Sequence, residues 1–156
     1  MKEIEDKAKR LARQILDIYN EHSFPVDIER ITEELGFKFE YADLICDLVV
    51  RPGVIRVIQV RSDLTLPRKR RTLAWGLGYA LMYNTSQAYM KAVVSLVAGG
   101  NEVEHFCSIF ARYLLLPEEF VFTEGMRCDG DIDKLTSIFL VDEAAMRMRM
   151  SEVFPL

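Results

Sequence analysis

The chain has 156 residues, of which half are apolar and 28% charged, and its 20 basic and 24 acidic side chains give a net charge of −4. These values predict one globular domain over residues 1–156, and they exclude a disordered chain and an overall attraction to nucleic acid or to an anionic membrane. The charged N-terminus is not that of a signal peptide, no apolar run is long enough to span a membrane, and the three cysteines lack a CxxC spacing. We therefore expect a cytoplasmic protein without a membrane partner.

The first predicted elements are two helices. Apolar residues recur every three or four positions over residues 3–19, which predicts an amphipathic helix with one buried face. Asp27 then stands where an N-cap is expected, before a short helix over residues 28–35 that Gly36 can end in a left-handed conformation.

A small sheet is predicted next, because the apolar period changes from helical to two. Residues 37–41 alternate apolar and charged side chains, and residues 44–50 and 54–60 are two further strand candidates. Pro52 and Gly53 lie between these two candidates, and Pro-Gly favours a turn, so we expect an antiparallel hairpin.

Most of the chain beyond residue 66 is predicted to be helical, so the expected fold class is α+β, with a mostly antiparallel three-stranded sheet packed on a mainly helical domain. The predicted helices cover residues 67–83, 101–116, a short segment from Pro117, 131–139 and 142–153. Asn101 and Glu104 are spaced as in a capping box. Residues 88–98 fit a helix or a strand, and their β-branched middle favours a strand.

Two segments resemble motifs of the ImmA/IrrE family of zinc metallopeptidases. Residues 61–83 resemble the family's active-site helix, which reads approximately R-F-T-[IL]-A-H-E-[LF]-G-H-A-[LI], and they retain its frame at Arg70, Thr72, Leu73, Ala74, Leu77, Gly78, Ala80 and Leu81. Residues 106–117 resemble a second motif, E-A-N-x-F-A-x-x-L-L-M-P, at Phe110, Ala111, Leu114, Leu115 and Pro117. With its flanks the resemblance covers residues 20–150, and it implies a zincin-like domain.

The residues that carry the family's chemistry are replaced in this chain. In H-E-x-x-H, two histidines four positions apart bind Zn²⁺ from one helical face, and the glutamate is the general base. The resemblance places Trp75 and Tyr79 at the histidine positions, Gly76 at the base, and Phe106 at the third ligand, a glutamate in the family. Indole and phenyl groups do not coordinate zinc, and a neutral phenol is a poor ligand. The resemblance therefore implies a degenerate site without a metal cofactor and without peptidase activity.

We expect the three aromatic residues to fill the former metal centre as one buried cluster. Trp75 and Tyr79 share a helical face, and Phe106 is expected to project toward them from the next long helix. Close-packed interiors do not keep a vacated pocket empty, so the aromatic rings are expected to fill it. Gly76, which has no side chain, is expected to leave room beside them.

The run Arg68, Lys69, Arg70 and Arg71 is the strongest basic patch in the sequence and a candidate contact for a nucleic-acid backbone. Because the family carries arginines at this turn and the surface is otherwise acidic, a solvated helix start that pairs with nearby carboxylates is the favoured interpretation.

The two C-terminal predicted helices and the short turn between them resemble a helix-turn-helix motif in their sequence pattern. The second helix begins with Asp142 and Glu143, and its only cationic residues are Arg147 and Arg149. Base contacts would require positive charge at its leading end, so nucleic acid is not the expected partner.

Two remaining candidates for chemistry lie on the helix from residue 101. His105 is expected to face away from Trp75 as a solvated or capping residue, because adjacent helical residues point about 100° apart. Cys107 is expected to be a buried thiol, and Cys46 and Cys128 have no visible partner.

The favoured function is a catalytically inactive pseudo-peptidase that binds another protein in a regulatory role. Active family members are bacterial or phage-related and commonly cleave a helix-turn-helix repressor encoded beside them, so the resemblance implies a repressor or a related peptidase as partner. Two alternatives stay open: a DNA-binding transcriptional regulator that uses the C-terminal helix pair, and an enzyme with non-zinc chemistry for which no residue constellation is visible.

Overall fold

A computed structural model describes residues 1–19, 22–51, 56–84 and 101–156. Within these ranges the helices are α1 (Lys2–Ile18), α2 (Ile28–Glu34), α3 (Leu66–Asn84), α4 (Asn101–Leu115), α5 (Glu118–Arg127), α6 (Ile132–Phe139) and α7 (Glu143–Val153). The strands are β1 (Lys38–Ala42), β2 (Leu48–Arg51) and β3 (Val57–Arg61). The α+β class is confirmed. The predicted turn at Pro52 and Gly53 and the segment 88–98 lie outside the described residues.

Aspartates at the predicted positions begin three of the helices. Oδ1 of Asp27, Asp131 and Asp142 accepts a hydrogen bond from the backbone N–H three residues later, at 3.1, 3.2 and 2.9 Å. Gly36 follows α2 with φ of +85°, the left-handed conformation expected of a glycine that ends a helix. Pro117 is the N-cap of α5, which runs further than the short helix predicted there.

The sheet is mixed, with strand order β1-β3-β2, so the expectation of a mostly antiparallel sheet is corrected. β2 and β3 form the expected antiparallel pair, in which Val50 lies opposite Ile58. β1 pairs with the other edge of β3 in parallel, with Phe39 beside Ile58. A two-stranded hairpin would leave the polar backbone of one β3 edge without partners, and β1 supplies them. The strand predicted from residue 44 begins only at Leu48, and Ile45 before it is fully exposed.

The long helix α3 packs against the sheet, against α2 and against α4, and α1 packs along α4. The buried residues of α3 include Leu73, Ala74, Leu77 and Ala80, so this helix presents apolar side chains to several neighbours. α6 and α7 pack against each other and close the C-terminal end. In the part of the chain that the structure describes, no helix is long and apolar enough to cross a membrane.

Candidate functional site

The aromatic residues predicted to fill a former metal centre take part in two separate stacked pairs. The rings of Trp75 and Tyr79 are nearly parallel, at 7°, with centroids 6.0 Å apart. Phe106 stacks on Phe110, its neighbour one turn along α4, at 3° and 6.3 Å. Phe106 is 2% exposed, whereas Trp75 and Tyr79 are half-buried. Trp75 and Tyr79 pack against the core that contains Phe106. The expected burial therefore holds for Phe106 and is wrong for the other two rings, which lie at the edge of the core.

Gly76 does not leave space beside these rings, contrary to expectation. A β-carbon at Gly76 would lie 2.9 Å from Leu48 Cδ1 and 3.0 Å from Ile58 Cγ2, so side chains of the sheet already occupy that side of α3. A β-carbon at Gly78 would lie 2.6 Å from Cδ1 of the buried Phe110 ring. The two glycines therefore allow α3 to approach the sheet and α4 closely.

The residues that the resemblance aligns with the family's zinc ligands do not fit a metal ion. The Trp75 indole offers a single N–H donor, and Phe106 offers no heteroatom. The position predicted for the general base carries no side chain, and Leu48 and Ile58 fill the space above it. Among the residues that the structure describes, no three His, Cys, Asp or Glu side chains are grouped so that they could hold a metal.

A cleft opens between α3, α4 and α7, with a cavity of about 580 Å³. Trp75 lines the cavity from α3, Leu115 from α4 and Met148 from α7, and Ala111 and Ala144 add small apolar surfaces. This volume lies within the range of about 300–1,000 Å³ that is common for ligand pockets, and aromatic and aliphatic walls are typical of them. Trp75, which the resemblance aligns with the family's first zinc ligand, thus lies in the wall of an open cleft.

Two arginines and two aspartates of the cleft are held in ion pairs. Arg71 Nη1 lies 2.8 Å from Asp142 Oδ2, and Arg112 Nη2 lies 2.7 Å from Glu152 Oε1. Asp47 is bound by two arginines outside the cavity, at 2.9 and 3.1 Å. The Arg112 Nε lacks a partner in the described part of the chain, but it is covered from solvent. These groups therefore offer little free charge to the cavity.

Glu104 also lines the cleft, and its side chain is exposed. Among the described residues it has no ion-pair or hydrogen-bond partner, unlike the other charged residues of the lining. The hydroxyl groups of Ser108 and Thr72 line the same cavity. The sequence predicts Glu104 as a capping residue and gives no role to Ser108, so neither is expected from it at a cleft. Positions 104, 108, 111 and 115 share one face of a helix, but this spacing does not show what lies opposite that face.

The basic run at the start of α3 is divided between the core and ion pairs. Arg70 is 9% exposed; its Nε donates to the Leu140 carbonyl at 3.2 Å and its Nη2 donates to the Val26 carbonyl at 2.9 Å. Burial lowers the pKa of this guanidinium. Arg68 forms an ion pair with Asp47, Lys69 lies over the Tyr41 ring, and Arg71 forms an ion pair with Asp142. The expected solvated helix start is therefore wrong for Arg70, which joins α3 to two other segments through the carbonyl groups of Val26 and Leu140.

The C-terminal helix pair presents less positive charge than its sequence indicates. Arg149 is 2% exposed; its Nε donates to the Leu116 carbonyl at 2.9 Å, and its guanidinium lies 3.9 Å from the Tyr113 ring centroid. Arg147 is exposed, but its Nε lies 2.7 Å from a carboxylate oxygen of Glu143. The leading surface of α7 thus lacks the free cations that a recognition helix uses.

His105 is a link between helices and not a solvated or capping residue. Its Nε2 lies 3.0 Å from Glu5 Oε1, and both side chains are partly buried between α1 and α4. Cys107 is buried as expected, and burial raises the pKa of its thiol, which makes it a poor nucleophile. Cys46 is exposed and Cys128 is half-buried.

No protein-family model matches this chain, and no curated protein matches it. A solved structure, that of a Mycobacterium tuberculosis transcriptional regulator, is similar with a TM-score of 0.69 and 17% sequence identity. The similarity covers 97% of this chain and 47% of the other, so this chain spans about half the length of that protein. At this identity the comparison shows a shared fold.

Proposed function

We propose that this chain is a non-catalytic regulatory domain that binds a segment of another protein in the cleft between α3, α4 and α7. The observation that carries the proposal is the open cavity of about 580 Å³, of which Trp75 forms part of the wall. The partner class is taken from the resemblance to ImmA/IrrE peptidases, whose active members commonly cleave helix-turn-helix repressors.

The absence of catalysis is part of the proposal, and the chemistry of the residues supports it. Trp75, Tyr79 and Phe106 cannot replace zinc ligands, and Gly76 cannot replace a carboxylate base. The buried Cys107 has a raised thiol pKa and does not line the cleft. What remains is a cleft that combines apolar walls with charged groups mostly held in ion pairs, which suits binding.

A regulatory role is supported loosely by the fold that this chain shares with the mycobacterial transcriptional regulator. Binding of DNA by α6 and α7 is the less favoured alternative, because Arg149 is buried and Arg147 is paired. A salt-dependent affinity for duplex DNA that decreases when Arg147 is replaced by Ala would favour that alternative.

The test is a selection of peptides from a displayed random library on the full chain, followed by titration of the selected peptides. Trp75 is the chain's single tryptophan, so its fluorescence reports on the cleft without a label. We expect saturable changes in Trp75 emission. Ala144→Phe places a large ring on the exposed cleft wall and should weaken binding at least tenfold, which corresponds to about 1.4 kcal/mol.

Thr123→Phe is the matched control, because Thr123 is an exposed residue of α5 outside the cleft lining. Equal binding by the two variants, or the lack of any peptide that changes Trp75 emission, would contradict binding in the cleft. Zinc-dependent cleavage of a peptide substrate by the purified chain would contradict the non-catalytic part of the proposal.

A further inference from the structure

We infer that the cleft recognises a cationic side chain, lysine or arginine, on the segment that it binds. This inference rests on the proposed function and specifies the chemistry of the occupant. It follows from two groups that line one cavity: the Trp75 ring, and the Glu104 carboxylate without a partner among the described residues.

The charge of the cavity favours a cation. Arg71 and Arg112 are both engaged by carboxylates, at 2.8 and 2.7 Å, so neither cation is free to attract an anionic ligand. Asp142 and Asp47 are neutralised in the same way, each by at least one arginine. Glu104 alone among these groups is left uncompensated, and its charge is negative.

The aromatic wall favours the same class of ligand. The face of an indole ring attracts an ammonium or guanidinium group within about 6 Å, by about 0.5–2 kcal/mol depending on desolvation. The Tyr79 ring stacks parallel to Trp75 but does not line the cavity, so the aromatic wall is Trp75. Trp75 and Glu104 line the same cavity, so it offers a cationic side chain both an aromatic ring and a carboxylate.

The rest of the cavity specifies what accompanies the cation. Leu115 and Met148 are apolar, and Ser108 and Thr72 offer hydroxyl groups that can accept hydrogen bonds from N–H donors. A free inorganic cation would leave the apolar walls without contacts. The occupant that fits is therefore a peptide segment in which one lysine or arginine is flanked by apolar residues.

The first test uses the complete chain labelled with ¹⁵N and two small probes, N-acetyl-arginine methylamide and its neutral citrulline analogue. The single tryptophan gives one assigned indole N–H signal. We expect a saturable shift of this signal with the arginine probe and at least a tenfold weaker response with citrulline. The absence of any shift with arginine, or equal responses to the two probes, would overturn the inference.

Two variants establish the role of the carboxylate. Glu104→Gln should weaken binding of the arginine probe about tenfold, because a charge-assisted contact is lost. Glu119→Gln removes an equivalent exposed charge from the first turn of α5, outside the cleft, and should leave binding unchanged. A melting temperature for Glu104→Gln within error of the parent chain establishes that the fold is intact. Unchanged binding by Glu104→Gln would overturn the inference.

A comparison with the selected peptides separates this inference from the proposed function. Peptides that change Trp75 emission, yet bind equally well when citrulline replaces their arginine, would leave binding in the cleft standing and overturn cation recognition. A response of the indole signal to the arginine probe in the absence of any binding peptide would support the cation site and contradict the binding of a protein segment.

Discussion

Arg71 Nη1 lies 2.8 Å from Asp142 Oδ2, so one ion pair joins the second turn of α3 to the N-cap of α7 beside the cleft. The other oxygen of Asp142, Oδ1, accepts a hydrogen bond from the Ala145 N–H at 2.9 Å. One carboxylate therefore begins a helix and fastens that helix to the neighbouring wall of the cavity.

The two roles of Asp142 are separable by substitution. Asp142→Asn retains an oxygen that can cap α7 and loses the ion pair with Arg71, which is partly exposed, so we expect a loss below about 1 kcal/mol. Asp142→Ala also removes the cap and should cost about 1 kcal/mol more. Urea unfolding of both variants measures the difference. Equal losses would show that the cap contributes nothing to the free energy of unfolding.

Gly78→Ala is expected to destabilise the domain by about 1–3 kcal/mol, because the added methyl group collides with the buried Phe110 ring. The higher helix propensity of alanine would by itself stabilise by about 1 kcal/mol, so the sign of the change is informative. Gly76→Ala should cost less, because the Leu48 methyl group that it meets ends a flexible side chain. Thermal unfolding provides the measurement, and a stabilised Gly78→Ala variant would contradict the close packing of α3 on α4.

Arg149 is expected to be a structural residue. Arg149→Ala should cost about 3 kcal/mol, because it leaves the buried Leu116 carbonyl without its donor and removes the guanidinium packed over the Tyr113 ring, while Glu152 keeps its contact with Arg112. Arg147→Ala on the exposed side of the same helix should change the free energy of unfolding by less than about 0.5 kcal/mol. Denaturant titrations of the two variants provide the comparison, and similar losses would contradict the burial of Arg149.

The contact between Glu5 and His105 predicts a pH dependence of stability. The hydrogen bond from His105 holds the pKa of the Glu5 carboxyl below its ordinary value of 4.5. A lowered native-state pKa stabilises the fold above the ordinary value, and this contribution is lost as the pH falls through the native pKa. We therefore expect the difference in melting temperature between the parent chain and Glu5→Gln to decrease from pH 7 toward pH 3. A difference that stays constant with pH would contradict the contact.

Restoration of the four family residues is expected to damage the fold before it creates a zinc site. The combined variant is Trp75→His, Gly76→Glu, Tyr79→His and Phe106→Glu. The glutamate at position 76 must displace Leu48, and the one at position 106 is buried, where an unpaired carboxylate is costly. We expect a lower melting temperature and no stoichiometric zinc by elemental analysis after dialysis. A variant that binds one zinc per chain and melts like the parent would contradict this prediction.

The sequence by itself determined the features that depend on neighbours along the chain. The aspartate caps at residues 27, 131 and 142, the end of α2 at Gly36 and the change from helical to alternating periodicity all arise from contacts within a few residues. Such interactions are visible in a local pattern, and they suffice for the α+β class and for most helix boundaries.

Only the tertiary structure decided the features that depend on residues far apart in sequence. The parallel pairing of β1 with β3, the sheet side chains above Gly76, the contact of Glu5 with His105 and the burial of Arg149 join segments separated by many residues. The cleft also depends on residues far apart in sequence, because its walls come from α3, α4 and α7. A periodic pattern shows which face of a helix is apolar, but the packing of the whole chain decides what covers that face and what is left open.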